Sequence, residues 1–89
     1  MEVAFSNSFK KAFNKRIKST ELEPEFWIRL ELFVNDPFDT KLKTHKLSGK
    51  LKDLWGFSIG YDLRVVFYFT KDKPKKAVFV DLGTHDEVY

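Results

Sequence analysis

The chain has no cysteine. It can form no disulfide, no thiolate metal site and no cysteine nucleophile, and a reducing compartment, the cytoplasm, is the default expectation. Histidine is nearly as scarce. His45 and His85 lie forty residues apart and make no recognisable metal-ligand spacing, so neither a metal nor a cofactor is expected. The four glycines, Gly49, Gly56, Gly60 and Gly83, fit neither phosphate-binding fingerprint, and Ser58 stands in no nucleophile-elbow context. No apolar run is long enough to span a bilayer, and the N-terminus lacks the basic-then-apolar form of a secretory signal. Eighty-nine residues leave room for one domain, 1–89.

What the chain has in quantity is phenylalanine. Ten of its residues are Phe, which supplies a core despite the small size. Its charge is unevenly spread. Lys41, Lys43, Lys46, Lys50 and Lys52 fall in a stretch without acids, whereas 21–39 carries Glu21, Glu23, Glu25, Glu31, Asp36 and Asp39 against Arg29 alone. A basic face with an acidic back suits a polyanion, and solvated lysines are the plain alternative.

Glu2 to Phe5 reads as a short edge strand. Ser6 or Ser8 then caps a helix over 7–18, with Phe9, Ala12, Phe13 and Ile17 at helical spacing. Thr20-Glu21-Leu22-Glu23 has the form of a capping box, with Pro24 in the first turn, and opens a second helix over 21–35 that Asn35-Asp36-Pro37 ends. Residues 37–52 show no period and read as a basic loop anchored by Leu42 and Leu47, with His45 at its centre. Residues 54–61 alternate large and small, placing Trp55, Phe57, Ile59 and Tyr61 on one face. After a turn at Asp62-Leu63, the β-branched and aromatic run 64–70 reads as a central strand. A charged turn leads to a third strand over 77–82 and a terminal glycine turn. The order predicts α+β: an N-terminal α-hairpin packed on one face of a small, mostly antiparallel sheet.

The two histidines suggest a chemistry. RNA can be cleaved by its own 2′-hydroxyl, which requires a base, an acid and cations around the phosphorane rather than a protein nucleophile. Imidazole can serve as either base or acid. Arg64 can offer a planar fork of donors to phosphate, Asp62 can orient a histidine or take the 2′ proton, and Trp55, Tyr61 or Tyr89 can stack a base. From residue types alone each has a plain alternative: His45 an exposed loop residue, His85 a cap, Asp62 a turn former, Arg64 an ion-pair partner on the sheet.

Four segments together resemble the RelE/ParE toxin superfamily, nearest its YafQ-like messenger-RNA interferases: His45-Lys-Leu-Ser-Gly49, Trp55-Gly-Phe-Ser-Ile59, Asp62-Leu-Arg-Val-Val-Phe67 and Gly83-Thr-His-Asp-Glu-Val-Tyr89. The resemblance covers the whole chain and implies a RelE-like fold. It also implies a toxin of a type II toxin–antitoxin module that cleaves mRNA on the ribosome without a metal. It assigns His45, Asp62 and His85 to proton transfer or phosphate contact, Arg64 to charge stabilisation and Tyr89 to the scissile nucleotide. Lys43, Lys46, Lys50 and Lys52 would hold RNA. A cognate antitoxin is the implied protein partner, with the toxin a monomer alone or part of a hetero-oligomer with it, and no membrane is involved. The branch often carries another histidine where this chain has Ser58. A gyrase-inhibiting ParE-like toxin and a non-catalytic RNA-binding module are the alternatives.

Overall fold

Strand β4 lies at the centre of the molecule. In the computed structural model, which describes residues 1–49 and 53–89, it spans Leu63–Phe69. Strands β1 (Glu2–Phe5), β2 (His45–Lys46), β3 (Trp55–Ile59) and β5 (Lys76–Thr84) complete a five-stranded sheet in the order β1-β5-β4-β3-β2. The β3-β4-β5 meander is antiparallel, as its alternation predicts. β1 is an edge strand and pairs parallel to β5. Helices α1 (Asn7–Arg16) and α2 (Leu22–Asn35) cover one face. The fold is therefore α+β, with a mixed sheet.

Helix α1 starts where the Ser6 hydroxyl accepts from the Phe9 amide at 3.1 Å, satisfying one of the free amides of the first turn. The box at α2 is shifted from the one expected. Thr20 Oγ1 accepts from the Leu22 amide, but Glu23 reaches back to the Ser19 amide, one residue earlier than a capping box requires. That bond, first, and one from Trp27 Nε1 hold the Glu23 carboxyl below the usual carboxylate range. Trp27 itself is 46% exposed.

Three further departures from the sequence reading concern the site. The stretch read as a loop contains β2, paired antiparallel to β3 as His45↔Gly56 and Lys46↔Trp55. Two residues are too few to show alternation, so only the partner strand defines it. Leu42 and Leu47 do anchor the stretch, both buried. The C-terminus does not end in a glycine turn: Gly83 lies within β5, and residues His85–Val88 form a third helix, α3. Tyr61 does not share the face of Phe57, because β3 stops at Ile59, Gly60 takes φ +60°, and Tyr61 is 97% exposed.

Between helices and sheet, Phe9, Phe26, Phe33, Phe57, Phe67 and Phe79 are fully buried. Phe79 meets Phe5, Phe9, Phe33, Phe57 and Phe67 with ring centroids 5.3–6.0 Å apart, in the tilted and edge-on arrangements aromatic quadrupoles favour. Next to Phe79 the register shifts by one: Val66 faces Asp81, but Phe67 faces Phe79. Val80 is the extra residue. A bulge leaves such a residue outside the ladder, and here the Val80 carbonyl accepts from the Ser8 hydroxyl at 2.6 Å, tying α1 to the bulge. The bulge also changes the phase of β5. Ala77 and Phe79 face the core before it and Leu82 after it, so Asp81 and Gly83 come to the opposite, open face.

Because Phe79 joins both helices to the sheet, Phe79→Ala should cost about 3–5 kcal/mol of unfolding free energy, the range for a large buried aromatic. Phe79→Leu should cost clearly less, measured by urea unfolding of each variant.

Candidate active site on the open face

Register places two rows of residues across the open face. One runs His45↔Gly56↔Val66↔Asp81 through β2, β3, β4 and β5, and the other runs Ser58↔Arg64↔Gly83. Side chains alternate between faces along a strand, so these residues share the side away from α1 and α2. Helix α3 turns back over them. Thr84 begins it with a capping box, and Glu87 Oε1 accepts from the Thr84 amide at 2.8 Å. Val88 and the Glu87 stem pack on Gly83. A Cβ there would come within 3.0 Å of Val88 Cγ1. The Tyr89 side chain lies directly on Gly56, where a Cβ would overlap its hydroxyl. Two glycines thus form the floor on which the C-terminal segment rests.

This docking brings the two histidines to one place. The Tyr89 ring lies 5.6 Å from that of His45 and 4.8 Å from that of His85, edge-on to both at 85° and 73°. A cavity of about 600 Å³ opens beside them, lined by His45, Lys46, Leu47, Ser48, His85, Glu87, Val88 and Tyr89. That size suits a small organic group or one nucleotide. His45 Nδ1 lies 3.0 Å from the Lys43 carbonyl. A carbonyl can only accept, so Nδ1 carries the hydrogen and Nε2 is the free nitrogen. His85 Nδ1 lies 3.7 Å from Asp86 Oδ1.

Arg64 points near this cluster but not into the cavity wall. Its guanidinium donates to the carbonyls of Leu63 at 3.1 Å and Tyr61 at 3.4 Å, and its charge acts on the Tyr89 phenol. Asp62 is exposed in the turn between β3 and β4, off the cavity wall. It is one step beyond the Leu63↔Thr84 pair, as is His85, so both leave the same end of the sheet. Lys43 and Lys46 are exposed beside His45, whereas Lys50 and Lys52 lie outside the described residues. Ser58 is buried on the α3 side, in the row next to Gly56. Among the described residues no group of three or more His, Cys, Asp or Glu side chains gathers to hold a metal ion.

Gly56, Glu87 and Val88 were missed from the sequence. Two of them carry a signal. A glycine inside a strand marks close approach of another group, and Thr84-x-x-Glu87 is a capping-box pattern that announces α3.

The same architecture occurs in small bacterial toxins. The chain superposes on a metal-bound toxin from Helicobacter pylori with a TM-score of 0.74 at 27% identity, covering 100% of this chain and 99% of that one. It matches YafQ in the DinJ-YafQ complex from E. coli with a TM-score of 0.71 at 19% identity (99% and 97% covered), and a YoeB/ParE toxin from Agrobacterium tumefaciens at 0.73 and 15% (96% and 99%). No significant relative is found among curated protein sequences. The class, a toxin of a type II toxin–antitoxin system, is given by the family match. Residues 1–89 match the family described as bacterial toxin of type II toxin-antitoxin system, YafQ, and the chain belongs to that family. No helix is long and apolar enough to cross a membrane among the described residues.

Burial raises the Tyr89 phenol above its ordinary range, against a smaller opposing pull from Arg64. A raised folded-state value means that the docked form holds its proton more tightly. Docking of α3 should therefore be at full strength below the ordinary phenol range and weaken as pH rises through it towards the raised value. Gly56→Ala should displace Tyr89 at every pH while leaving the core intact. NMR of the His45 and His85 rings should show both effects.

Proposed function

We propose that the protein is an mRNA interferase, an endoribonuclease that cuts messenger RNA on the ribosome and is silenced by a cognate antitoxin. The observation that carries this reading is the pair of histidines gripping Tyr89 at the mouth of an open cavity, with Arg64 and two lysines nearby. The family supports the toxin class, and the DinJ-YafQ complex supports an antitoxin as the protein partner.

The proposed reaction needs two proton transfers. With Nδ1–H committed to the Lys43 carbonyl, neutral His45 takes the 2′-hydroxyl proton on Nε2. The 2′-oxygen forms a bond to phosphorus, the bond from phosphorus to the 5′-oxygen breaks, and His85, entering protonated, gives its proton to that leaving oxygen. The products are a 2′,3′-cyclic phosphate and a 5′-hydroxyl. Asp86 lies beside His85, and Asp62 leaves the same end of the sheet, where it can orient the ring. Arg64 leaves its carbonyl partners to meet charge developing on the phosphorane, where donors count most. Lys43, Lys46, Lys50 and Lys52 hold flanking phosphates. Tyr89 presents its ring rather than its hydroxyl, since Oη is turned onto Gly56, buried and without a hydrogen-bond partner among the described residues. Ser58, on the same side of the sheet, supplies no third imidazole, and the two histidines share the proton work.

The decisive experiment maps mRNA 5′ ends in a translating extract. Wild type should create new 5′-hydroxyl ends within codons only during translation, and His85→Ala should cut at least about a hundredfold more slowly. Intact messages with wild type, or equal cutting by His85→Ala, would overturn the reading.

Tyr89→Phe separates ring from hydroxyl. It removes an orphaned buried donor, so stability should hold or rise by about 1 kcal/mol in thermal unfolding. Cleavage should stay within a few-fold of wild type. Tyr89→Ala should lose cleavage.

A further inference from the structure

Four residues are too few to hold a helix by their own hydrogen bonds, so α3 depends on what it touches. Two of its supports are the apolar contacts on Gly83 and Gly56. The third is ionic and comes from across the molecule. Arg16, the last residue of α1, donates through its guanidinium to Glu87 Oε2, while Glu87 Oε1 accepts from the Thr84 amide. One carboxylate thus closes the first turn of α3 with one oxygen and fastens it to α1 with the other. Arg16 is itself well placed, because α1 is pinned at its start by the Ser6 cap and the Ser8–Val80 bond.

We infer that Arg16 is a positioning residue for the site: from outside the cavity it holds α3, and with it His85 and Tyr89, in register with His45. Arg16 does not line the cavity. Its side chain is 30% exposed and that of Glu87 40%. An ion pair so open to water contributes little to global stability. The same small contribution is a large share of what keeps a four-residue segment docked. Losing the pair should therefore loosen the site without unfolding the body, and the proposal rests on the ribonuclease reading only for the effect on cleavage.

The test uses the phenol of Tyr89 as a reporter of docking. In a background carrying Tyr61→Phe and Tyr68→Phe, ultraviolet titration reads Tyr89 alone. Arg16→Ala removes the cation. Glu87→Gln keeps an oxygen for the Thr84 amide but removes the charge that Arg16 meets. Each variant should lower the phenol midpoint towards its ordinary range and slow cleavage about two- to fivefold, the factor a half-exposed pair carries. The double variant should be no worse than the stronger single, because both changes break one interaction. Thermal unfolding of the body should not move. An unchanged phenol midpoint in both single variants, or effects that multiply in the double variant, would overturn the assignment. If the wild type does not cleave RNA, the phenol midpoint alone decides, so failure of the function and failure of the tether give different results.

Discussion

The site depends on the absence of two side chains. Gly56 and Gly83 leave bare backbone on the open face of β3 and β5, and the C-terminal segment lies on that backbone through Tyr89 and Val88. With a Cβ at Gly56 the Tyr89 ring would have to lift, and one at Gly83 would press on Val88 and Glu87. His85 would then separate from His45, since Tyr89 is the ring that both histidines contact. Close approach across missing side chains is the constraint from which the cavity, the histidine pair and the orientation of Tyr89 all follow.

Behind that constraint is the bulge at Val80. Without the extra residue, strict alternation through β5 would turn Gly83 towards the helices and leave α3 no floor. The core and the site are therefore linked through one strand. Phe79 faces inward among the other phenylalanines, and four residues later Gly83 faces outward under Val88. The core needs Phe79 and Leu82 on the same side, and the register shift that achieves this also prepares the opposite side. Division of labour between faces is common to small α+β domains: one face supplies stability by burying apolar area, and the other is left to carry polar and titratable groups.

Much of the fold was legible in the residues. The helical spacing of Phe9, Ala12, Phe13 and Ile17, and the Ser6 cap, located α1. The β-branched run after Arg64 located the central strand. The candidate site was proposed from residue types and from resemblance to a toxin family, and its geometry was not legible. β2 escaped notice because two residues show no period. α3 escaped because a four-residue helix leaves only its capping box, Thr84 to Glu87, as a trace. Asp62 and Arg64 illustrate the difference. Both stand in the motif that carries the resemblance, yet Arg64 turns Nη1 to nearby carbonyls and Asp62 sits in the exposed turn.

By itself the sequence determined the local matters: where α1 begins and α2 ends, which strands alternate, that the core is phenylalanine, and that His45, His85, Asp62 and Arg64 are the candidate groups for chemistry. Those follow from short-range physics, from caps, periods and side-chain chemistry. Tertiary structure decided the rest: the pairing of His45 with Gly56, the phase change in β5, the return of α3 across the sheet and the reach of Arg16 to Glu87. Each of these joins residues far apart in the chain, and only the packed sheet brings them within contact distance.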